Sequence, residues 1–245
     1  SDSWNNQVKA EEIFSKKIDK SSFKKHLKKL TERPHVVGSE GNAEVIRYIG
    51  QVMDDAGFKV TNYPYDVYLP NKPGESLIEI VTPSRDVLNQ KEDVIPGDPF
   101  TEDPELWKGW NAFSGSGDVT AEVVYANYGR KQDFEQLKEL GVEVMGKIVI
   151  ARYGGNFRGY KAKFAEAAGA AGLIIYTDPI DSGYFKGLAY PEGPYYSEST
   201  IQRGSLLTED FTGDPLTPYE PALPLDGMIK IKRKKPEDAQ LHSIP

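Results

Sequence analysis

Four short apolar runs punctuate the middle of the chain: SLIEIV (76–81), AEVVYA (121–126), KIVIA (147–151) and GLIIY (172–176). Each is bounded by turn formers or charges and predicts a short strand. Elsewhere the apolar spacing lengthens to three or four. Phe23, Leu27 and Leu30 predict an amphipathic helix in SSFKKHLKKLTER, with Ser21 or Ser22 as N-cap. Val45, Ile49, Val52 and Met53 predict a second helix, ended by Gly57. FKVTNYPYDVYLP alternates and is rich in aromatic and β-branched residues, so it reads as a strand. Residues 1–62 are thus expected to be two helices feeding a strand.

DFEQLKELG predicts a short helix ending at Gly141, and YKAKFAEAAGAAG another, with Phe164, Ala167, Ala168 and Ala171 on a narrow face. Small residues there would let the helix pack close to a sheet. Residues 82–118 are rich in Pro, Gly, Asp and Trp, and loops of that length are usually functional or inserted. Beyond Tyr176 the chain is loop-rich through Pro224. In IKIKRKK, Ile229 and Ile231 alternate with lysines, the pattern of an exposed edge strand. The elements together indicate an α/β (α+β) chain.

Composition narrows the chemistry. The 245 residues carry a net charge of −7, which argues against nucleic acid as a partner. There is no cysteine, so disulfides, thiol catalysis and cysteine-bound zinc are excluded. No apolar run approaches the ~20 residues of a membrane span. The opening SDSWNNQVKAEE lacks the basic-then-apolar pattern of a signal peptide, and no N-x-S/T sequon is present.

The densest stretch is GKIVIARYGGNFRGYKAKFAEAAGAAGLIIYTDP (146–179), a strand, a glycine turn, a helix and a strand. That outline suits a phosphate site, but G-G-N-F-R-G is neither dinucleotide fingerprint nor P-loop. The glycines serve a tight turn, or Arg158 beside Phe157 captures a carboxylate in a bidentate grip. The three histidines form no zinc-binding spacing. His26 sits among lysines, where a solvated ring is expected, and His35 suits a structural hydrogen bond. SGSGD around Ser116 is not a nucleophile elbow. Asp178-Pro179 and Asp214-Pro215 read as turn initiators, and such loops are also a source of oxygen ligands for calcium.

Five stretches in order, RPHVVGSEGN (33–42), the 146–179 segment, YPEGP (190–194), IQRGSLL (201–207) and GDPLTPYEP (213–221), resemble the N-terminal part of glutamate carboxypeptidase II and its relatives, including the transferrin receptor. The resemblance covers nearly the whole chain. It implies type II membrane proteins with a large extracellular part, a zinc-peptidase-like domain, an inserted protease-associated (apical) domain of β-sandwich-like form with flanking helices, and a helical dimerisation domain. Residues 1–62 would be an N-terminal piece of the α/β peptidase domain. Residues 63–235 would be the protease-associated domain, and 236–245 a return segment. The zinc ligands and the general-base glutamate have no counterpart here, so the chain alone is expected to be inactive. Phe157 and Arg158 match the turn that contacts a substrate's C-terminal acidic residue. Ser205 stands where the family's asparagine helps bind the α-carboxylate, a departure that loosens strict glutamate specificity. Thr217 and Tyr219 match residues near a structural calcium, but the glycine between Pro218 and Tyr219 is missing. The Asn156–Gly159 and Gln202–Gly204 motifs place the chain nearer the peptidases than the transferrin receptor branch. A non-catalytic interaction module, with Trp107, Trp110 and Phe113 as its contact surface, is the alternative.

Overall fold

The computed structural model describes residues 2–245 and divides between Val60 and Thr61 into two units. In the first, α1 (Asp2–Lys17) buries no residue. Its apolar positions are too few for their spacing to announce a helix. Helix α2 (Lys20–Leu30) starts at Asp19, whose carboxylate accepts from Ser21 N at 3.0 Å, so the cap lies two residues before the expected serine. Helix α3 (Glu40–Asp55) starts at Ser39, whose Oγ accepts from Asn42 N at 3.1 Å. His26 Nδ1 lies 2.7 Å from Tyr48 Oη, so it links α2 to α3 rather than facing water. His35 Nδ1 lies 3.1 Å from Arg33 O, a local structural contact.

The residues that alternate in 58–70 form no strand. A strand needs a ladder, and this segment has isolated bonds instead: Asp66 N to Ala222 O at 2.8 Å and Tyr68 N to Asp214 Oδ1 at 2.6 Å. The lysine-flanked isoleucines at 229 and 231 form none either. In the second unit, β1 (Glu79–Ile80) pairs antiparallel with β2 (Asp86–Val87). There follow β3 (Asn111–Ala112), β4 (Val123–Tyr125), α4 (Lys131–Glu139), β5 (Ile148–Arg152), α5 (Arg158–Ala167), β6 (Gly172–Tyr176), α6 (Pro179–Ser182), β7 (Gly204–Ser205) and a hairpin of β8 (Gly213–Asp214) with β9 (Thr217–Pro218).

The centre of this unit is a parallel sheet of order β4-β5-β6. Parallel neighbours need a crossover, and α4 and α5 supply it. Strand β5 lies between the others and buries Val149 and Ala151 completely, while Ile148 and Ile150 face a less covered side. Val124, Ala126, Val144 and Val149 pack with Phe134 and Leu173. Ala162, Ala165, Leu206 and Ile244 form an adjoining cluster. The buried face of α5 is therefore Ala162 and Ala165, with Gly159 and Lys161, and not the face through Ala167 that apolar periodicity suggests. Phe164 stacks on Tyr160 instead, ring centroids 6.1 Å apart.

Lys161 is fully buried. Its ammonium donates to Tyr128 O, to Gly154 O at 2.8 Å and to Asn156 Oδ1 at 2.7 Å, so all three protons are engaged. Burial and the nearby Arg130 and Arg158 lower its pKa to about 8, against the pull of Asp133. This one side chain fastens α5 to the glycine turn before it. Gly155 in that turn has φ +75°, a backbone conformation that favours glycine, and a Cβ there would meet the Arg130 guanidinium, its Nε at 2.5 Å.

Glu166, near the other end of α5, anchors the last residues of the chain. Its Oε1 accepts from Ser243 N at 2.5 Å, Ser243 Oγ at 2.9 Å and Ile244 N at 3.0 Å, and its Oε2 lies 2.5 Å from His242 Nδ1. Pro245 O then accepts from Leu173 N on β6 at 3.0 Å. Burial works to raise the Glu166 pKa, but the hydrogen bonds from His242, Ser243 and Ile244 outweigh it and hold it below the ordinary 4.5.

Two tests follow from these anchors. Lys161→Met keeps the apolar stem but strips Tyr128 O, Gly154 O and Asn156 Oδ1 of their donor, and is expected to cost about 2–3 kcal/mol in urea unfolding. Between pH 8 and 10.5 the unfolded chain holds the Lys161 proton more tightly than the folded one. Stability attributable to this group therefore rises with pH across that window, and the rise disappears in the variant. Glu166→Ala is expected to cost about 2 kcal/mol and to speed amide exchange at Ser243 and Ile244. In the wild type this carboxylate's contribution is present above pH 4.5 and is lost as pH falls through its depressed value, so protection of those two amides fails on acidification.

Candidate functional site

Strand β5 ends at Arg152, the chain turns through Gly154 and Gly155, and α5 begins at Arg158 with Phe157 as its N-cap residue. Phe157 is 42% exposed and meets Tyr160 edge-on, centroids 6.2 Å apart. The guanidinium carbon of Arg158 lies 5.7 Å from the Phe157 ring centroid and 5.6 Å from that of Tyr153. Arg158 makes no hydrogen bond or ion pair to the described residues, and its buried Nε has no partner.

Neighbouring arginines are engaged quite differently. Arg152 stacks over Tyr128 at 4.0 Å, donates to Asn127 Oδ1 at 2.9 Å, and lies 3.6 and 3.5 Å from carboxylate oxygens of Asp178 and Asp181. Arg203, in the QRG motif, grips Glu92 through two bonds of 2.5 and 2.8 Å and also donates to Trp107 O. These two are structural clamps: one ties β5 to α6, the other ties the 82–118 segment to the motif strand. Arg130 has an unpartnered Nε too, but it packs against Gly155 with its guanidinium carbon 4.8 Å from the Tyr128 centroid. Among these arginines, Arg158 is the one whose guanidinium lies against Gly204 of β7.

That placement is tight. A Cβ on Gly204 would lie 2.2 Å from Arg158 Nη1 and 2.5 Å from its Cζ, so the glycine is what lets the guanidinium lie against the strand. Ser205 follows directly, and its Oγ accepts from Leu207 N at 3.1 Å. The structure thus brings Arg158, Phe157 and the Gly204–Ser205 strand together. Strand β3 pairs in parallel with β7, Asn111 opposite Gly204 and Ala112 opposite Ser205. Asn111 Nδ2 donates to Tyr153 Oη at 3.4 Å, and Tyr153 Oη donates to Gln202 O at 3.0 Å. Sequence reasoning missed both Asn111 and Tyr153. Asn111 lies within the long 82–118 segment, and no spacing there distinguishes it.

The other expected residues sit elsewhere. Thr217 is 1% exposed on β9 with its Oγ1 unpartnered, while Tyr219 on the same hairpin is 74% exposed and turned toward Phe211. Asp214 and Asp178 hold turns, accepting from Leu216 N at 3.1 Å and Ile180 N at 3.0 Å, as the Asp-Pro pairs suggest. Among the described residues no group of three or more His, Asp or Glu side chains is arranged to hold a metal ion. No zinc set is therefore found, and the calcium expectation at Thr217 and Tyr219 gains no support. Among the described residues, no helix is long and apolar enough to cross a membrane. Of the aromatics at 107–113, Phe113 is buried, Trp110 half-buried and Trp107 36% exposed.

The PA domain family matches residues 119–205, the segment that spans β4 to β7. A probable glutamate carboxypeptidase of Arthroderma benhamiae is 40% identical over 190 residues, 75% of this chain and 26% of its own length. A glutamate carboxypeptidase 2 homolog of Caenorhabditis briggsae is 34% identical over 236 residues, 93% of this chain and 30% of its own length. The chain thus spans under a third of the length of these relatives. A solved aminopeptidase from Aneurinibacillus sp. strain AM-1 aligns with TM-score 0.38 and 21% identity, over 78% of this chain and 35% of that one. With a PA domain built around the sheet and relatives of this kind along most of its length, the chain belongs to the glutamate carboxypeptidase and transferrin receptor-like family.

Proposed function

We propose that this chain is the PA-domain-bearing, substrate-binding portion of a zinc-dependent carboxypeptidase-like exopeptidase. It forms one wall of a cleft that holds the carboxylate of a peptide ending in an acidic residue. One observation supports this above the rest: the Arg158 guanidinium has no internal partner, although Arg152 and Arg203 nearby are fully committed. A cation without a counter-charge, flanked by Phe157 and Tyr153, favours an anion that arrives from outside. Phe157 adds an apolar side to that contact. Holding the substrate end orients the scissile bond and removes part of the entropic barrier.

Zinc supplies water activation in such peptidases. In this reading its ligands lie outside the present residues, and so do the contacts of a homodimer. The longer protein would work on the extracellular side of a membrane.

The test is a titration of the 245-residue chain with N-acetyl-L-glutamate, followed by NMR or calorimetry. Arg158→Ala is expected to weaken binding by about tenfold or more, the scale of one charge-assisted hydrogen-bond pair. Arg158→Lys should recover only part, because an ammonium lacks the planar fork. Equal affinity in wild type and Arg158→Ala removes the proposal. The chain by itself is expected to show no chelator-sensitive hydrolysis of a glutamyl dipeptide, and measurable turnover would contradict the assignment of zinc to other residues.

A further inference from the structure

In a parallel ladder, residues in register point to the same face and successive residues alternate. The Cβ direction of Gly204 runs into the Arg158 guanidinium, so the face of Gly204 is the arginine face. Asn111 is the register partner of Gly204 and shares that face, whereas Ser205 is paired with Ala112 on the other. Ser205 also has its Oγ occupied by Leu207 N, and Ala112 is 7% exposed. The position that matches the family's asparagine therefore turns away from Arg158, and a different carboxamide stands beside it.

The orientation of that carboxamide is fixed by its neighbour. Tyr153 donates its hydroxyl proton to Gln202 O, so toward Asn111 it can only accept, and the Nδ2 of Asn111 faces it. This leaves Asn111 Oδ1, which is buried and has no partner. Buried acceptors are nearly always satisfied. Here two residues with an unpartnered buried atom each, Asn111 through Oδ1 and Arg158 through Nε, both contact Tyr153, Asn111 through its Nδ2 at the hydroxyl and Arg158 through its guanidinium over the ring.

A ligand that satisfies both carries an anion and an N–H donor close together. The C-terminal residue of a peptide is such a group, since its carboxylate and its amide N–H are separated by one carbon. We propose that Asn111 Oδ1 accepts the amide N–H of the bound C-terminal residue while Arg158 holds its carboxylate. Asn111 then selects N-acyl amino acids over acids that lack the N–H. The inference rests on the carboxylate reading of Arg158 and adds the second half of the contact.

The experiment compares N-acetyl-L-glutamate with its ester isostere, in which oxygen replaces the amide nitrogen, in NMR titrations of the full chain. The wild type is expected to bind the amide about tenfold tighter than the ester, because a site built to accept a hydrogen bond rejects the analogue lacking it. Asn111→Ala should bring the amide down to the ester's affinity, and Ser205→Ala should leave the ratio unchanged. Arg158→Ala should weaken both ligands together. The Asn111 side-chain amide signals should shift with the amide ligand more than with the ester, a readout that needs no variant to fold. A wild-type ratio near one, or a ratio that survives in Asn111→Ala, overturns the role of Asn111 while leaving the arginine in place. Affinities unmoved by Arg158→Ala, or no binding of either acid, overturn the parent reading as well.

Discussion

A buried ammonium holds the site together. Lys161 stands one helical turn from Arg158 and ties the glycine turn, the Tyr128 loop and α5 into one piece through three acceptors. Removing a charge from water is costly, and the cost is met only when every proton finds an oxygen. The turn is therefore not free to choose its shape. Its glycines adopt left-handed backbone angles, the helix starts at one defined residue, and Arg158 emerges at one place. The two flanking arginines lower the proton affinity of Lys161 further, so the same electrostatic crowding that favours an incoming anion also strains its support.

The arrangement separates two kinds of arginine within a short stretch of chain. Arg152 and Arg203 are consumed by carboxylates and aromatic rings and act as rivets between segments. Arg158 is packed against apolar and aromatic surface with no acid in reach, which keeps its charge unspent. The contrast depends on Gly204, whose missing side chain provides the space the guanidinium occupies.

Much of this was legible from residue order. The apolar runs at 121–126, 147–151 and 172–176 coincide to within two residues with the three strands of the central sheet, and the F-R-G turn marks the start of α5. What failed did so for identifiable reasons. The alternation at 58–70 describes side chains that suit a pleat, but a strand exists only where a neighbour supplies the ladder. Apolar periodicity pointed α5 at Ala167, because a lysine is not expected on the inward face; three oxygens waiting there reverse that preference. Ser205 occupies the right motif position, yet period-two alternation sends its side chain to the opposite face of β7 from the arginine. Asn111 reaches the site through a strand pairing between residues 93 positions apart, which no local pattern encodes.

Helix α5 carries Arg158 in its first turn and Glu166 in its last, eight positions and roughly 12 Å apart along the axis. The unpaired Arg158 cation and the acid that seats the final residues are thus the two tips of a single stiff rod. A tug on the segment at 242–245, from whatever it adjoins, is delivered to the far tip as displacement of the whole rod rather than absorbed by a loop. The place of the charge at one end and the seat of the peptide segment at the other are therefore set by one and the same rigid element.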